Sequence, residues 1–151
     1  MYKRQALHRL ILILAGALVT ACSNYPDSPR LTLTSVDGSI IEINENTPLT
    51  ALFFFQMSNP VAIGAFERIQ NELDESIEIV GIAMQVDRPP NIASMQQRMI
   101  MIPIVIDEGE IADAFGGIDL TPVLILIENG RLLLHQRGRL NYDAINAFSR
   151  Q

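Results

Sequence analysis

The pattern of apolar and polar positions divides the chain into one apolar run near the start and a long patterned body. Residues 10–19 (LILILAGALV) are apolar or small throughout, with basic residues ahead of them. Farther on, Leu31-Thr32-Leu33-Thr34 alternates, Asp37-Gly38 supplies a turn, and apolar character returns over residues 40–43, which predicts a β-hairpin. Residues 49–55 (LTALFFF) form a short apolar run, as expected of a strand covered on both faces. Ser58-Asn59-Pro60 places a capping residue before a proline suited to a first helical turn. A helix is predicted over 60–74, with Ala62, Phe66, Ile69 and Leu73 at helical spacing. Residues 77–84 (IEIVGIAM) predict a second buried strand, so the three segments form a βαβ unit.

Past Asp87-Arg88-Pro89-Pro90 the pattern weakens to a helix over 91–99, followed by a strand over 103–106 and a helix over 108–115 that Gly116-Gly117 ends. An apolar strand over 123–127 leads through Asn129-Gly130, a strong hairpin signal, into a strand over 132–136. A last helix over 142–148 sets Tyr142, Ile145 and Phe148 on one face. This order predicts an α/β fold, a mixed central sheet with helices on both faces. No internal repeat interrupts residues 30–151, which read as one domain.

The start of the chain has a different logic. Lys3, Arg4 and Arg9 precede the apolar run, the layout of a secretory signal peptide over 1–21, and the run is shorter than the ~20 residues of a membrane span. Val19-Thr20-Ala21-Cys22 then resembles a bacterial lipobox. In that motif the cysteine sulfur takes a diacylglycerol, and its freed amine takes a further acyl chain such as palmitate; two or more chains give stable anchoring. Cys22 is therefore the expected lipidation site and the expected contact with the membrane. Ser23 beside it, rather than Asp, fits sorting to the outer membrane of a diderm bacterium, with the body in the periplasm. Residues 22–29, polar with two prolines, read as a lipidated flexible tether.

Composition narrows the function. The chain has 11 Lys+Arg and 17 Asp+Glu, net charge −6, and all three basic residues of the first 21 lie in an acid-free segment; the remainder is at −9. An acidic body of this kind excludes general nucleic-acid binding, which needs a basic stripe. The single cysteine excludes an intramolecular disulfide and a Cys-rich metal cage. A hydrophobic content of 48% argues against disorder.

The body resembles the thioredoxin-fold superfamily, specifically membrane-tethered thiol-disulfide oxidoreductases of the TlpA/ResA type and related redoxins. The resemblance rests on the opening hairpin with Asp37-Gly38, the aromatic strand running into Ser58-Asn59-Pro60-Val61, and the added block over 91–107 containing Ile102-Pro103-Ile104-Val105-Ile106-Asp107. It rests also on the stretch from Phe115 to Thr121-Pro122 before a strand ending in Asn129-Gly130. It implies a thioredoxin-like fold and places a Cys-x-x-Cys motif at Ser58, Asn59, Pro60 and Val61, where the start of a helix would stabilise a thiolate. Both cysteine positions are replaced here, and the family's mechanism then has no nucleophile. The family's buried carboxylate, six positions before the first cysteine, corresponds to Leu52. Peroxide reduction fails for want of the same sulfur. The resemblance further makes Thr121-Pro122 the cis-proline loop, whose preceding backbone pairs with an extended client peptide.

Other chemistry is less favoured. Met57, Met84, Met95, Met99 and Met101 invite a Cu(I) carrier, since thioether sulfur is soft and copper chaperones of the Sco type share the fold, but those proteins also rely on a Cys pair and a histidine, and core packing by adaptable methionines is the better account. His135, near Arg137 and Arg139, has no companion ligands and reads as surface or structural. Ser58 lies in no Gly-x-Ser-x-Gly or Ser/His/Asp arrangement and reads as a helix cap. Glu67, Glu72, Asp74, Glu75 and Glu78 read as a solvated face, and Arg131 with Arg137 and Arg139 as surface charge. The expectation is a lipid-anchored thioredoxin-like binding or adaptor module with no catalytic residue, metal or cofactor, its protein or peptide partner at the Ser58/Pro122 surface. The competing readings are an enzyme completed by a cysteine-bearing partner and a copper carrier.

Overall fold

A computed structural model of the chain describes residues 24–56, 61–84, 93, 97 and 100–151. The elements are β1 (Leu31–Thr34), β2 (Ile40–Ile43), β3 (Thr50–Gln56), α1 (Val61–Glu72), β4 (Glu78–Met84), β5 (Ile104–Asp107), α2 (Glu110–Ala114), β6 (Val123–Glu128), β7 (Arg131–Arg137) and α3 (Tyr142–Asn146), closed by a 3₁₀ turn over Ala147–Arg150. Five strands form one sheet in the order β5-β4-β3-β6-β7, and β1 pairs with β2 in a separate hairpin. β3, β4 and β5 run parallel, while β6 runs antiparallel to β3 and β7 antiparallel to β6, as a helical crossover followed by a tight hairpin requires.

The apolar run of β3 is continuous because both of its faces are covered. Ala51, Phe53 and Phe55 point into one cluster with Phe66, Ile69 and Leu73 of the α1 segment and Ile145 of α3. Leu52 and Phe54 point into the other, with Leu33 and Ile43 of the hairpin and Ile111 and Ala112 of α2. Helices thus stand on both faces. The four residues expected to face the sheet from α1, Ala62, Phe66, Ile69 and Leu73, are all buried.

Element ends differ from the sequence reading by a few residues, for local reasons. α2 starts at Glu110 because Gly109 has φ 124°, and it stops before Gly116 and Gly117, both at φ 87°. α1 ends at Glu72 against a side chain from the far end of the chain: Asn146 donates its amide to the Glu72 carbonyl at 2.8 Å and accepts from the Asp74 N–H at 2.8 Å. Asn146→Ala removes both bonds and is expected to lower stability by about 1–2 kcal/mol. Asn146→Asp, which keeps the acceptor, should lose less; urea unfolding of the two variants checks the order. Of the helix expected over 91–99, Ala93 and Gln97 are helical and exposed, and the rest lies outside the described residues.

Of the segment expected to be a flexible tether over 22–29, Cys22 and Ser23 lie outside the described residues, and the part over 24–29 is corrected. Asp27 forms an antiparallel bridge with Arg131, and Ser28 is buried. A proline lacks an N–H but keeps its carbonyl, so Pro26 accepts from the Leu132 N–H at 2.9 Å and the chain pairs despite its two prolines. The ordered body therefore extends back beyond Arg30.

Two turns show why the hairpins form where they do. At Asn129-Gly130 both residues have positive φ, 49° and 73°, the conformation whose twist matches a two-residue hairpin. Between β1 and β2, the Asp37 carboxylate accepts from the Ser35 hydroxyl, from the Ser39 N–H at 3.0 Å and from the Ser39 hydroxyl at 2.8 Å. These bonds, the Ser35 hydroxyl first, hold the Asp37 pKa down from 3.8 to about 2. Since the folded value is the lower one, the unfolded chain binds this proton first on acidification. The contribution is complete above about pH 4 and is lost as pH falls toward about 2. Urea midpoints measured across that window should fall for the wild type more steeply than for Asp37→Asn.

Candidate functional site

The C-terminal end of β3, the start of α1 and the loop before β6 meet at one end of the sheet, because β3 runs toward the point from which β6 returns: Phe54 lies opposite Val123. Val61 opens α1 there. The Thr121–Pro122 peptide bond is cis. The Pro122 carbonyl accepts from the Gly138 N–H at 2.8 Å, which fixes the loop to the end of β7. Ser58, Asn59 and Pro60 lie outside the described residues, as does Cys22.

Val61 and Pro122 line the same open groove of about 800 Å³, bounded by α1 on one side and by residues 138–143 on the other. Its apolar lining includes Phe53, Ala65, Ile69 and Leu140, and its polar lining is balanced, Arg68 and Arg139 against Glu72 and Asp143. The Arg68 guanidinium lies over the Tyr142 ring, 5.8 Å from its centroid. Burial raises the Tyr142 pKa, and Glu72 adds to the rise against the opposing effect of Arg68. The phenol is therefore neutral near pH 7 and serves as a wall. Asn141 uses its side chain to cap α3, accepting from the Ala144 N–H at 3.0 Å. Val61 and Leu120 are 68% and 73% exposed, large apolar side chains turned to solvent near the groove and its cis-proline loop.

No Cys, Ser, Thr or His stands among the described residues that line this groove. Leu52 is fully buried between Val80 and Ile125, so the place where the resembling family carries a carboxylate is apolar. Asp107 is the one buried carboxylate among the described residues, and it is occupied elsewhere, accepting from the N–H groups of Gly109, Ile111 and Ala112 at 2.9 Å each. Among the described residues no three His, Cys, Asp or Glu side chains are grouped so as to hold a metal ion. Met84 is buried in the core and Met101 is 76% exposed, while Met57, Met95 and Met99 lie outside the described residues.

His135 is on β7, where burial, and then Arg137, lower its pKa. Arg131 is more than surface charge, since it pairs with Asp27 at 2.5 Å. The sequence reading found the Val61 and Pro122 sides of the groove. It missed the third side, Leu140 and Tyr142 with Arg68; the only signal was the apolar face shared by Tyr142 and Ile145. No helix among the described residues is long and apolar enough to cross a membrane.

No protein-family model matches this sequence, and no curated protein matches it. Solved structures do. StoA from Bacillus subtilis superposes with a TM-score of 0.62 at 19% identity, covering 82% of this chain and 99% of that one. A thiol:disulfide interchange protein of the thioredoxin family from Chlorobium tepidum gives a TM-score of 0.64 at 19% identity, covering 85% and 98%. The pneumococcal exposed lipoprotein thioredoxin from Streptococcus pneumoniae gives 0.60 at 16% identity, covering 81% and 98%. At these identities the likeness defines the fold: the chain has a thioredoxin-like fold, with the strand order and cis-proline loop described above.

Proposed function

We propose that this is a lipid-anchored, thioredoxin-like binding module that does not exchange disulfides and that holds a protein or peptide segment in the groove between Val61 and Pro122. The observation that carries the reading is the pairing of an open, partly apolar groove beside a cis-proline loop with a body that contains no cysteine after Cys22. An extended segment could lie along the loop and place apolar side chains against Val61, Ala65 and Leu140, with Arg68 and Glu72 available for its polar groups. Cys22 in its lipidated form has no thiol, so it does not replace the missing pair. The existence of an exposed lipoprotein among the structural neighbours supports an anchored domain outside the cytoplasm, and the lipobox-like segment with Ser23 favours the outer membrane, facing the periplasm.

Two measurements test this. The purified mature protein should reduce insulin disulfides no faster than buffer; reduction above that control would overturn the redox-inactive reading. A photo-crosslinker at position 61 in intact cells should capture a defined protein that a crosslinker at the exposed position 75 does not, and equal capture at both would remove the groove as the binding surface.

A further inference from the structure

The cationic side chains among the described residues are Arg30, Arg68, Arg131, Arg137, Arg139 and Arg150. Most of them are engaged within the molecule. Arg30 pairs with Glu45 at 3.1 Å, and Arg131 pairs with Asp27 at 2.5 Å while also donating to the Tyr25 carbonyl at 3.3 Å. Arg68 lies over the Tyr142 ring. Arg150 stands near Asp74, whose pKa is lowered first by its hydrogen bonds from Ser76 and then by that charge among weaker causes. Arg137 and Arg139 are left: both are exposed, and among the described residues neither is in an ion pair.

Their place in the fold is specific. Gly138, which stands between them in sequence, donates its N–H to the Pro122 carbonyl at 2.8 Å. Arg137 is opposite Val123, the residue after the cis-proline, and cross-strand partners share a face, so Arg137 lies on the side where Val123 packs with Leu33 and Ile125. Arg139 lies on the other side, where it borders the groove. The cis-proline loop is therefore flanked by a guanidinium on each side. The exposed side chains beside it, Val61 and Leu120, are apolar. Asp119, in the same loop, is exposed and pairs with neither arginine. The acids of the groove belong to its other part: Glu72 ends α1 one turn past Arg68, and Asp143 follows Tyr142, over which Arg68 lies. His135 adds no charge at pH 7, since burial, and then Arg137, lower its pKa from 6.5.

We propose that the segment held at the cis-proline loop is acidic: an extended stretch of polypeptide whose apolar side chains cover Val61 and Leu120 and whose carboxylates meet Arg137 and Arg139 on the two sides of Thr121–Pro122. This rests on the reading of the groove as a binding surface and names the chemistry that the surface selects. A guanidinium without an internal acid offers its planar fork to a carboxylate, which it can bind through two parallel hydrogen bonds. The charge of the rest of the body sharpens the choice. At −9 after residue 21, the domain repels an acidic segment in general and attracts it where cations stand without an acid of their own, so the same charges that weaken misplaced contacts favour this one. A lipid headgroup would match the two arginines but not the groove of about 800 Å³ that runs beside them.

The test uses the full chain purified from membranes in detergent, with a photo-crosslinker at position 61, and as probe a phage-displayed library of random short peptides. Peptides that crosslink at 61 are expected to carry Asp and Glu several-fold above the starting library, interspersed with apolar residues. The double variant Arg137→Gln with Arg139→Gln should lose that excess, and Arg137→Glu with Arg139→Glu should replace it by an excess of Lys and Arg. Both side chains are exposed, so the urea midpoints of these variants should match the wild type. Crosslinked peptides without an acidic excess, or an excess that survives the loss of both arginines, overturn the proposal and leave the groove as a binding surface. Failure of the groove reading has a different signature: no peptide would crosslink at 61 above the level at the exposed position 75. Binding of the Cys22→Ser chain to phosphatidylglycerol vesicles that the Gln double variant loses, with no acidic excess among the peptides, would assign the arginines to lipid and overturn the proposal as well.

Discussion

Phe66→Ala is expected to destabilise the domain by about 3–5 kcal/mol, the range for deleting a fully buried aromatic ring. Phe66 is 1% exposed and stands edge-on to two strand residues, Phe53 at 5.3 Å and Phe55 at 4.4 Å between centroids. It also lies over Gly81 of β4: a Cβ on that glycine would come within 2.9 Å of the ring. The glycine and the ring are thus complementary, and the space left by Phe66→Ala is bounded by sheet backbone that cannot collapse to fill it. The loss should appear as a thermal midpoint lowered by roughly 10–20 °C. Because Phe53 also lines the groove and α1 carries Val61, crosslinking from position 61 should weaken at temperatures where the variant is still folded. A drop under about 1 kcal/mol would mean that the cluster repacks freely, against the packing described here.

The second large effect is expected at Asp107. Its carboxylate is 4% exposed and accepts three backbone N–H bonds that open α2. Asp107→Ala strands those donors in a site closed to water, at a cost of about 3 kcal/mol. Asp107→Asn keeps one oxygen and with it the bonds to Gly109 and Ile111, so it should lose less than half as much. Urea unfolding that ranked the two variants equally would show that charge, and not hydrogen bonding, is what the site requires.

The contrast between these two residues explains what the sequence could reveal. Phe66 was legible because its role follows from spacing: it falls on the same helical face as Ala62, Ile69 and Leu73, and all four are buried. The doubly covered β3, the parallel β3–β4 pair and the Asn129–Gly130 hairpin were legible for the same reason, since periodicity and turn chemistry are local. Asp107, Asn146 and Tyr25 were not. Each acts through single contacts to partners set by the fold, and Asn146 meets Glu72 across 74 residues with no local trace in either segment. The groove was half legible. Val61 and Pro122 came from the family resemblance, whereas the wall of Leu140 and Tyr142 depends on how the last helix returns to α1. The attachment of residues 25–28 to β7 is not legible, because two prolines and polar residues signal flexibility, although carbonyl acceptors survive in both.

The attachment of the N-terminal segment also bears on how the sheet avoids its own kind. β5 and β7 are its outermost strands, and each has one side without a strand partner in the main sheet. The Val36 N–H bonds to the Ile104 carbonyl at 2.8 Å and Ser35 bridges Val105 on the β5 border, while Asp27 bridges Arg131 on the β7 border. One short stretch of chain, from Asp27 to Val36, therefore interrupts both borders at which a second molecule could add a strand. A protease that clipped this stretch would leave the β3-centred core in place and yet create two adhesive margins, opening the domain to edge-to-edge association.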